Sequence, residues 1–403
     1  MHWSIVVTAL LLMFSPVGLQ SQPSVSRQAE SFFSEAVKLI DAGEYDKAWD
    51  LLVRADEQFP ELAAWKFEMG YIRMAQGRYE DALQLFRSIL GAPEANARFY
   101  SMLGNAYDLT GDPDSAILTY QAGIRKFPDA GELYLELGVM RAQEENYVEA
   151  VETWETGLTR DPSHPSNFFH AARLYLPTEV RGWGMMYGEI FLNLEPNSER
   201  SGVIRTLLWN AYDDAVSVIP GESDSSYSIE VSFWKDATNL YATDSGLLAP
   251  FSYFFEKEAI LPAIETYRAS DNGPTITSLH DFRVDFIRGW YGEKNREVAE
   301  FFDVTLFDYH RRLIDAGHFM AYNVLIFYND ENREEVGAWI EENPNGINRL
   351  AAWIEKNPWP ATENPFSRLS LEMMPTIPFG ADDAELEGRY ELLMPSIREV
   401  EEE

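Results

Sequence analysis

Alanines recur at one fixed interval through the first half of the chain. Four of them stand 34 residues apart: Ala48, Ala82, Ala116 and Ala150. Prolines keep the same interval: Pro60, Pro128, Pro162 and Pro196, with Pro93 one residue early in its unit. A period of this length is typical of chains that stack one small unit several times. The spacing predicts five units, at residues 29–62, 63–96, 97–130, 131–164 and 165–198.

Two further sets of residues indicate the internal structure of each unit. Each set is a column, meaning that its members occupy the same position in successive units. A small residue recurs in the first half of every unit: Ala36, Gly70, Gly104, Gly138 and Ala172. A bulky residue recurs in the second half of the first four units: Leu52, Phe86, Tyr120 and Trp154. Small residues let two helices approach closely, and a proline ends the second helix so that the next unit can begin. Each unit is therefore predicted to be a helix pair, with glycines in the first three turns: Gly43, Gly77 and Gly111.

The third unit carries the pattern most completely: Tyr100, Leu103, Gly104, Tyr107, Ala116, Tyr120 and Pro128. In this order of residue types the chain resembles the tetratricopeptide-repeat family, over residues 29–198. The resemblance implies a helical solenoid of about five helix pairs, whose first helices line a concave groove in which ligands lie. The fifth unit departs from the pattern, because Pro177 cuts its first helix and Gly184 replaces the expected alanine. A degenerate last unit is expected where a solenoid ends or meets another domain.

Eight residues fall on the predicted groove when the family's frame is carried over: Phe33, Phe67, Tyr71, Arg98, Asn105, Leu135, Phe169 and Arg173. They form an aromatic and apolar row with a polar centre. The Lys and Asn set with which this family clamps a C-terminal carboxylate is not reproduced. Only Arg98, Asn105 and Arg173 are of the right type, so recognition of chaperone tails is disfavoured.

A row of exposed aromatic residues is normally covered by something, and three interpretations stay open. A peptide or helix from a partner would use the Phe and Tyr side chains as anchors. The protein's own C-terminal half would fold back over the groove. In the third interpretation the assumed helix offset is wrong, and some of these residues belong to the core.

The second half of the chain shows no 34-residue period. Six segments with helical spacing are expected: 203–219, 228–242, 251–269, 276–291, 296–316 and 319–328. Residues 336–344 and 350–358 are near-duplicates, each predicted to be a short helix with a buried Trp that stops before a proline. We therefore predict an α-helical domain over 200–360, then a polar, Pro-containing tail over 361–403 with a final helix. The predicted fold class is all-α throughout.

Charge and cysteine content exclude several classes of function. The net charge of -34 repels nucleic acid and anionic membrane surfaces, and it suits a basic partner. The chain has no cysteine, which excludes disulfides, thiolate metal sites and a cysteine nucleophile.

The N-terminus predicts export. Residues 5–14 form an apolar run, and Ser15 and Pro16 follow it before a polar stretch. This arrangement is typical of a signal peptide, here residues 1–21, because the run is too short for a comfortable membrane span. The mature chain is then periplasmic or secreted, with no membrane span. The alternative is an uncleaved N-terminal anchor.

Residues that would carry chemistry are few. Asp308, His310 and His318 cluster around a predicted helix end, where a metal or acid–base site is one hypothesis. Capping or core roles are the more common use of such residues, and no nucleophile, phosphate-loop or dinucleotide motif occurs. The sequence therefore favours a non-enzymatic protein without a metal or cofactor.

Three functional hypotheses follow. The first is an exported interaction module that binds a protein or peptide, such as a basic or an apolar helix, in its groove. The second is a binding protein for a small hydrophobic ligand held between the solenoid and the C-terminal domain. The third is an enzyme that uses Asp308, His310 and His318.

Overall fold

The computed structural model describes residues 23–220, 227–231, 233, 247–249, 251–252, 254–255, 259, 274–362, 365–372 and 377–379. The predicted signal peptide, residues 1–21, and the final helix of the tail lie outside these residues. The chain divides into two compact units, Met1–Glu145 and Asn146–Glu403. The division falls between the two helices of the fourth predicted repeat. The predicted domain boundary near residue 200, which follows the repeat count, stays a prediction.

Unit 1 consists of seven helices in the described part of the chain. They are α1 (Pro23–Asp41), α2 (Tyr45–Gln58), α3 (Ala64–Ala75), α4 (Tyr79–Ile89), α5 (Ala97–Leu109), α6 (Pro113–Lys126) and α7 (Gly131–Gln143). Each helix packs on the next, and α5 also packs on α7. Local signals set several ends: at the start of α6, Asp112 Oδ1 accepts a hydrogen bond from Ser115 N at 3.1 Å, and Pro113 takes the first helical position.

The turn within each pair is a left-handed C-cap. Gly43, Gly77 and Gly111 have φ angles of 72°, 70° and 83°, a region that glycine enters without strain. In the third repeat the Gly111 amide donates to Asp108 O and the Asp112 amide donates to Tyr107 O, both at 2.9 Å. The fourth repeat keeps the same turn with Glu145 at a φ of 62°. The backbone geometry is therefore retained even where the glycine is lost.

Close approach of the paired helices confirms the predicted role of the small residues. A Cβ atom added at Gly70 would lie 2.6 Å from Cε1 of Phe86, and one added at Gly104 would overlap the ring of Tyr120. Both rings are almost fully buried. In the second and third repeats, a glycine on the first helix thus packs directly against an aromatic ring on the second helix.

Unit 2 is also mainly helical. Its helices are α8 (Tyr147–Arg160), α9 (Pro165–Tyr175), α10 (Arg181–Leu194), α11 (Glu199–Asp214), α12 (Ile276–Trp290), α13 (Arg296–Phe301), α14 (Thr305–Asp315), α15 (Phe319–Phe327), α16 (Arg333–Glu342), α17 (Gly346–Lys356) and α18 (Arg368–Glu372). The second helix of the degenerate fifth repeat, α10, is buried continuously over 182–192. A helix that is apolar and buried on all sides is a central core element. The departure of the fifth repeat from the family pattern therefore coincides with a helix enclosed by the rest of unit 2.

One helix pair of unit 2 uses the turn of the repeats. Gly317, between α14 and α15, has a φ of 70°. Its amide donates to Ile314 O and the His318 amide donates to Leu313 O, both at 2.9 Å. This is the hydrogen-bond pattern of the turn at Gly111. A repeat-like helix pair therefore lies where the sequence shows no 34-residue period.

Two short antiparallel ribbons correct the helical expectation for residues 200–260. Strand β1 (Val216–Pro220) pairs with β2 (Tyr227–Val231), and β3 (Leu247–Ala249) pairs with β4 (Ile377–Phe379). The helices predicted over 203–219 and 228–242 are therefore wrong at 216–219 and 228–231. In both places β-branched residues alternate with polar ones, a pattern that favours strands. The all-α fold class is otherwise confirmed, and no described helix is long and apolar enough to cross a bilayer.

The near-duplicate segments form α16 and α17, as predicted. Their tryptophans are half-buried rather than buried. Trp353 contacts Tyr309 with ring centroids 5.7 Å apart, and Trp339 covers Gly346 at the start of α17. Each of the two rings therefore contacts a neighbouring helix of unit 2.

We expect Gly104→Ala to lower the free energy of unfolding by about 1–3 kcal/mol, because the new methyl group would overlap the buried Tyr120 ring. Gly202→Ala is the matched control on the exposed side of α11, where an added Cβ meets nothing within 4 Å. It should raise stability by about 0.5–1 kcal/mol through helix propensity. Urea unfolding followed by circular dichroism measures both. Equal stability of Gly104→Ala and the wild type would contradict the locking role of this contact.

Candidate functional site

Three of the predicted groove residues are core residues. Phe33 is buried against Trp65, with ring centroids 6.3 Å apart. Phe67 is buried between Phe99, stacked at 4.7 Å, and Phe86 at 5.6 Å. Because the rings of successive first helices stack directly on one another, no partner could cover them without repacking unit 1. For these residues the third interpretation of the sequence applies.

Phe169 and Arg173 lie in unit 2. The ring of Phe169, the third of these core residues, is buried 5.3 Å from that of Phe191. The guanidinium groups of Arg173 and Arg200 lie 5.3 and 4.9 Å from its centroid, at cation–π distance. Arg173 itself is exposed.

The other four predicted residues, Tyr71, Arg98, Asn105 and Leu135, are half-buried in unit 1. The Arg98 guanidinium lies 5.1 Å from the centroid of the Phe67 ring. Asn105 joins three helices: its Oδ1 accepts from Tyr120 OH at 2.5 Å, and its Nδ2 donates to Glu136 Oε1 at 3.4 Å. Hydrogen bonds to two neighbouring helices therefore hold the Asn105 side chain in place, and its role in a binding groove stays a prediction.

Two carboxylates on this surface were not among the residues predicted from the sequence. Glu68 on α3 is only 5% exposed, and no hydrogen bond to its carboxylate occurs among the described residues. Burial raises the pKa of Glu68 to about 7, against an opposing effect of the Arg98 charge. Burial also raises the pKa of Glu136, against the hydrogen bond from Asn105.

The repeat pattern contained a signal from which these two carboxylates could have been predicted. Glu68 and Glu136 occupy the same column of the repeat, two periods apart, where the third repeat has Met102. An acid at a position that is apolar in a neighbouring repeat indicates a polar group held at the edge of the core. We call Glu68, Tyr71, Arg98, Asn105 and Glu136 the first-helix face, because they lie on the first helices α3, α5 and α7.

Unit 2 contains a buried ion cluster that accounts for one of the proposed catalytic residues. His310 Nε2 lies 2.7 Å from Glu189 Oε1 and 3.0 Å from Arg283 Nη2. Arg283 also forms an ion pair with Glu189 and donates to Asn323 Oδ1. Burial alone would raise the pKa of Glu189, but Arg283 and His310 hold it at about 2. Burial lowers the pKa of His310, so its ring is neutral at pH 7.

The structure does not bring Asp308, His310 and His318 into one site. Asp308 forms an ion pair with Arg311 at the surface. The His318 ring contacts Trp353, with centroids 6.0 Å apart, while His310 is enclosed in the ion cluster. Among the described residues no group of three or more metal-binding side chains occurs. Asp308 pairs within its own helix, whereas His310 and His318 contact neighbouring helices, so the three residues lie in separate surroundings.

A second buried carboxylate binds the C-terminal segment. Glu155 on α8 is fully buried and accepts hydrogen bonds from Tyr175 OH at 3.2 Å and Tyr187 OH at 2.9 Å. Arg368 on α18 reaches its other oxygen at 3.0 Å, and the Arg368 amide donates to Tyr187 OH at 2.6 Å. Arg368 therefore attaches the C-terminal segment to helices of the fourth and fifth repeats.

Glu155 and Glu189 stand one 34-residue period apart, on the second helices of the fourth and fifth repeats. The earlier repeats have Arg87 and Gln121 at this column. Each glutamate binds one arginine of the C-terminal region, Arg368 or Arg283. The same repeat position is thus used twice to attach later parts of unit 2.

Helix pairs with left-handed turns and small-to-large contacts define a helical-repeat protein. A family model described as Tetratricopeptide repeat matches residues 39–106 and, in an overlapping register, 73–138. Residues 39–138 therefore contain tetratricopeptide repeats, as the residue pattern predicted.

Several solved structures are similar to part of this chain. The crystal structure of MamA is 19% identical and covers 40% of this chain and 94% of its own, with a TM-score of 0.34. TTC0263, a thermophilic TPR protein of Thermus thermophilus, is 19% identical and covers 45% and 98%, with a TM-score of 0.38. YrrB, described as a TPR protein with an unusual peptide-binding site, is 20% identical and covers 44% and 94%, with a TM-score of 0.32. No curated protein sequence matches this chain.

The raised pKa of Glu68 predicts a pH-dependent stability. Between pH 4.5 and about 7 the unfolded chain has lost the Glu68 proton and the folded chain keeps it, so stability falls as the pH rises. Glu68→Gln removes this titration. Its stability relative to the wild type should increase by about 2–3 kcal/mol from pH 4.5 to pH 8, at up to about 1.4 kcal/mol per pH unit.

Urea unfolding at a series of pH values measures the difference between the two proteins. The exposed substitution Glu80→Gln on α4 is the control for the loss of one surface carboxylate. A Glu68→Gln difference that does not change with pH would show that Glu68 titrates alike in the folded and unfolded chains.

Proposed function

We propose that this protein is a non-enzymatic adaptor that binds a basic segment of a partner protein on the first-helix face. The observation that carries the proposal is Glu68, a nearly buried carboxylate without a hydrogen bond among the described residues. A carboxylate whose pKa is raised by burial gains stability when a cation approaches it. A lysine or arginine of the partner would supply that cation.

The neighbours of Glu68 support the same partner chemistry. Glu136 is a second carboxylate with a raised pKa on this face, held in place by Asn105. Tyr71, half-buried on α3, would offer a ring to a cation or to the apolar stem of a lysine. The net charge of -34 would attract a basic partner over distance.

The residues that would contact the partner differ from those that the sequence predicted. Because Phe33, Phe67 and Phe169 are buried, the specific contacts would come from the polar residues of the face and from Tyr71. The alternative function, a small hydrophobic ligand held between the solenoid and the C-terminal domain, stays a prediction.

Binding of labelled peptides to the full mature chain tests the proposal. A fluorescent peptide of about 14 residues with alternating Lys and Leu should bind, and its Glu–Leu counterpart should bind at least about tenfold more weakly to this face. Tyr71→Ala and Glu136→Gln should each weaken binding of the Lys peptide about tenfold, and added salt should weaken it further. Fluorescence anisotropy measures the affinities.

Glu80→Gln is again the matched control, since it removes an exposed carboxylate from a second helix. If it weakens the Lys peptide as much as Glu136→Gln does, the attraction is a general charge effect and the face is not the site. If Glu80→Gln leaves binding unchanged, the site is confirmed. Crosslinking in the native extract, with Tyr71→Ala beside the wild type, would identify its natural partner.

We also propose that residues 1–21 are removed on export and that the mature protein is periplasmic or secreted. The apolar run over residues 5–14 supports this proposal. Cell fractionation followed by N-terminal sequencing should find the chain outside the cytoplasm, starting near Gln22. A chain that retains Met1 in the membrane fraction would instead support the uncleaved anchor.

A further inference from the structure

Unit 2 carries an open apolar groove of its own. It has a volume of about 490 Å³ and lies between α11, the end of α15, α16 and α17. Its floor includes the buried Val336. Three large apolar residues line it and remain exposed, Leu325 at 38%, Tyr328 at 43% and Ile340 at 43%. Contiguous apolar residues at the surface mark an interaction site more often than scattered ones do.

The near-duplicate helices show how the groove is kept open. Gly337 of α16 corresponds to Ala351 of α17, and both positions are exposed. A Cβ atom added at Gly337 would meet nothing within 4 Å, so no neighbour requires a glycine there. Glycine inside a helix is about 0.5–1 kcal/mol less favourable than alanine. Its position in the wall of the groove leaves room for a bound side chain.

The charge of the groove is opposite to that of the protein as a whole. Arg205 lines it and donates to two backbone carbonyls, to Leu325 O at 2.8 Å and to Pro196 O at 2.7 Å. No carboxylate pairs with Arg205 in the described part of the chain. A second arginine in the lining, Arg333, forms an ion pair with the exposed Asp330. In a chain of net charge -34, the Arg205 guanidinium beside apolar side chains fits an anionic group of a ligand.

We propose that this groove docks a segment of a partner protein that places two or three apolar side chains in the groove and a carboxylate beside Arg205. The proposal does not rest on the proposed function, because the residues belong to the other unit and select the opposite charge. An amphipathic helix with apolar residues at i, i+3, i+4 and i+7 and a flanking Glu or Asp has the required chemistry.

Two other occupants fit less well. A small ligand is normally buried over about 70–90% of its surface, and a groove with three lining residues about 40% exposed is too open for that. A second copy of this chain would bring another charge of -34 against the first.

The test uses the full mature chain and a fluorescent amphipathic peptide of about 14 residues, with Leu at i, i+3, i+4 and i+7 and Glu at the flanks. Gly337→Leu adds a large side chain to the wall of the groove, where an added Cβ meets nothing within 4 Å, and Ala351→Leu adds the same side chain at the matching exposed position of α17. Gly337→Leu should weaken binding at least about tenfold, and Ala351→Leu should leave it within about twofold.

Arg205→Gln tests the charge. In the Tyr71→Ala protein, whose first-helix face is weakened for Lys peptides, the Glu peptide should bind at least about tenfold more tightly than its Lys twin, and adding Arg205→Gln should reduce that preference below about threefold. The Tyr71→Ala variant of the first-helix face should bind the Glu peptide as the wild type does, which separates this site from the other.

Several results would overturn the proposal. They are absence of Glu-peptide binding up to about 1 mM, equal binding by Gly337→Leu, and equal binding of the Lys twin. Two more would replace the occupant: a concentration-dependent dimer in sedimentation that Gly337→Leu abolishes, or octanoate binding that Gly337→Leu abolishes while the peptide does not bind.

Discussion

The contact between a glycine on one helix and an aromatic ring on the next is the constraint on which unit 1 depends. At Gly70 and Gly104 there is no room for even one methyl group against Phe86 and Tyr120. Helices that approach this closely have no space between them for their other large side chains. Those side chains therefore pack between successive repeats. Phe67 and Phe99 therefore stack on one another inside the unit instead of lining a groove. The tightness of the repeat thus removes the aromatic anchors from the surface and leaves polar groups to determine what binds.

Unit 2 depends on buried charges in addition to apolar packing. A buried ion pair loses so much hydration that its net contribution to stability is small, yet removing one partner is strongly destabilising. Glu189 is buried together with Arg283, and the buried Glu155 pairs with the half-buried Arg368. Tyrosine, histidine and asparagine side chains add hydrogen bonds to these two clusters. These clusters determine which later helices return to the fourth and fifth repeats. They explain why His310, which resembles a catalytic residue in the sequence, serves as a structural one.

The two proposed binding surfaces differ in charge for separate physical reasons. The first-helix face is acidic because Glu68 and Glu136 occupy one position of the repeat, at which the third repeat has Met102. The groove of unit 2 is basic because Arg205 is satisfied by backbone carbonyls and not by a carboxylate. Partners of opposite charge would therefore be selected by the two units, which suits an adaptor with more than one binding partner.

The repeat period, the helix pairs, the left-handed turns at Gly43, Gly77 and Gly111 and the acidic net charge were all determined by the sequence alone. Each depends on residues close together in the chain or on a sum over all of them. The short ribbons at 216–231 were within reach of the sequence as well, since β-branched residues alternate with polar ones there. The surface positions of Tyr71, Arg98 and Asn105 followed from the repeat frame, although the burial of Phe33, Phe67 and Phe169 did not.

Only the tertiary structure decided which groups are buried together. Arg368 meets Glu155 across 213 residues of chain, and Arg283 meets Glu189 across 94. No local pattern encodes such pairings, because a side chain's burial and pKa depend on neighbours that folding brings from elsewhere in the chain. The repeat column shared by Glu155 and Glu189 was visible in the sequence, but the arginines that bind them were not.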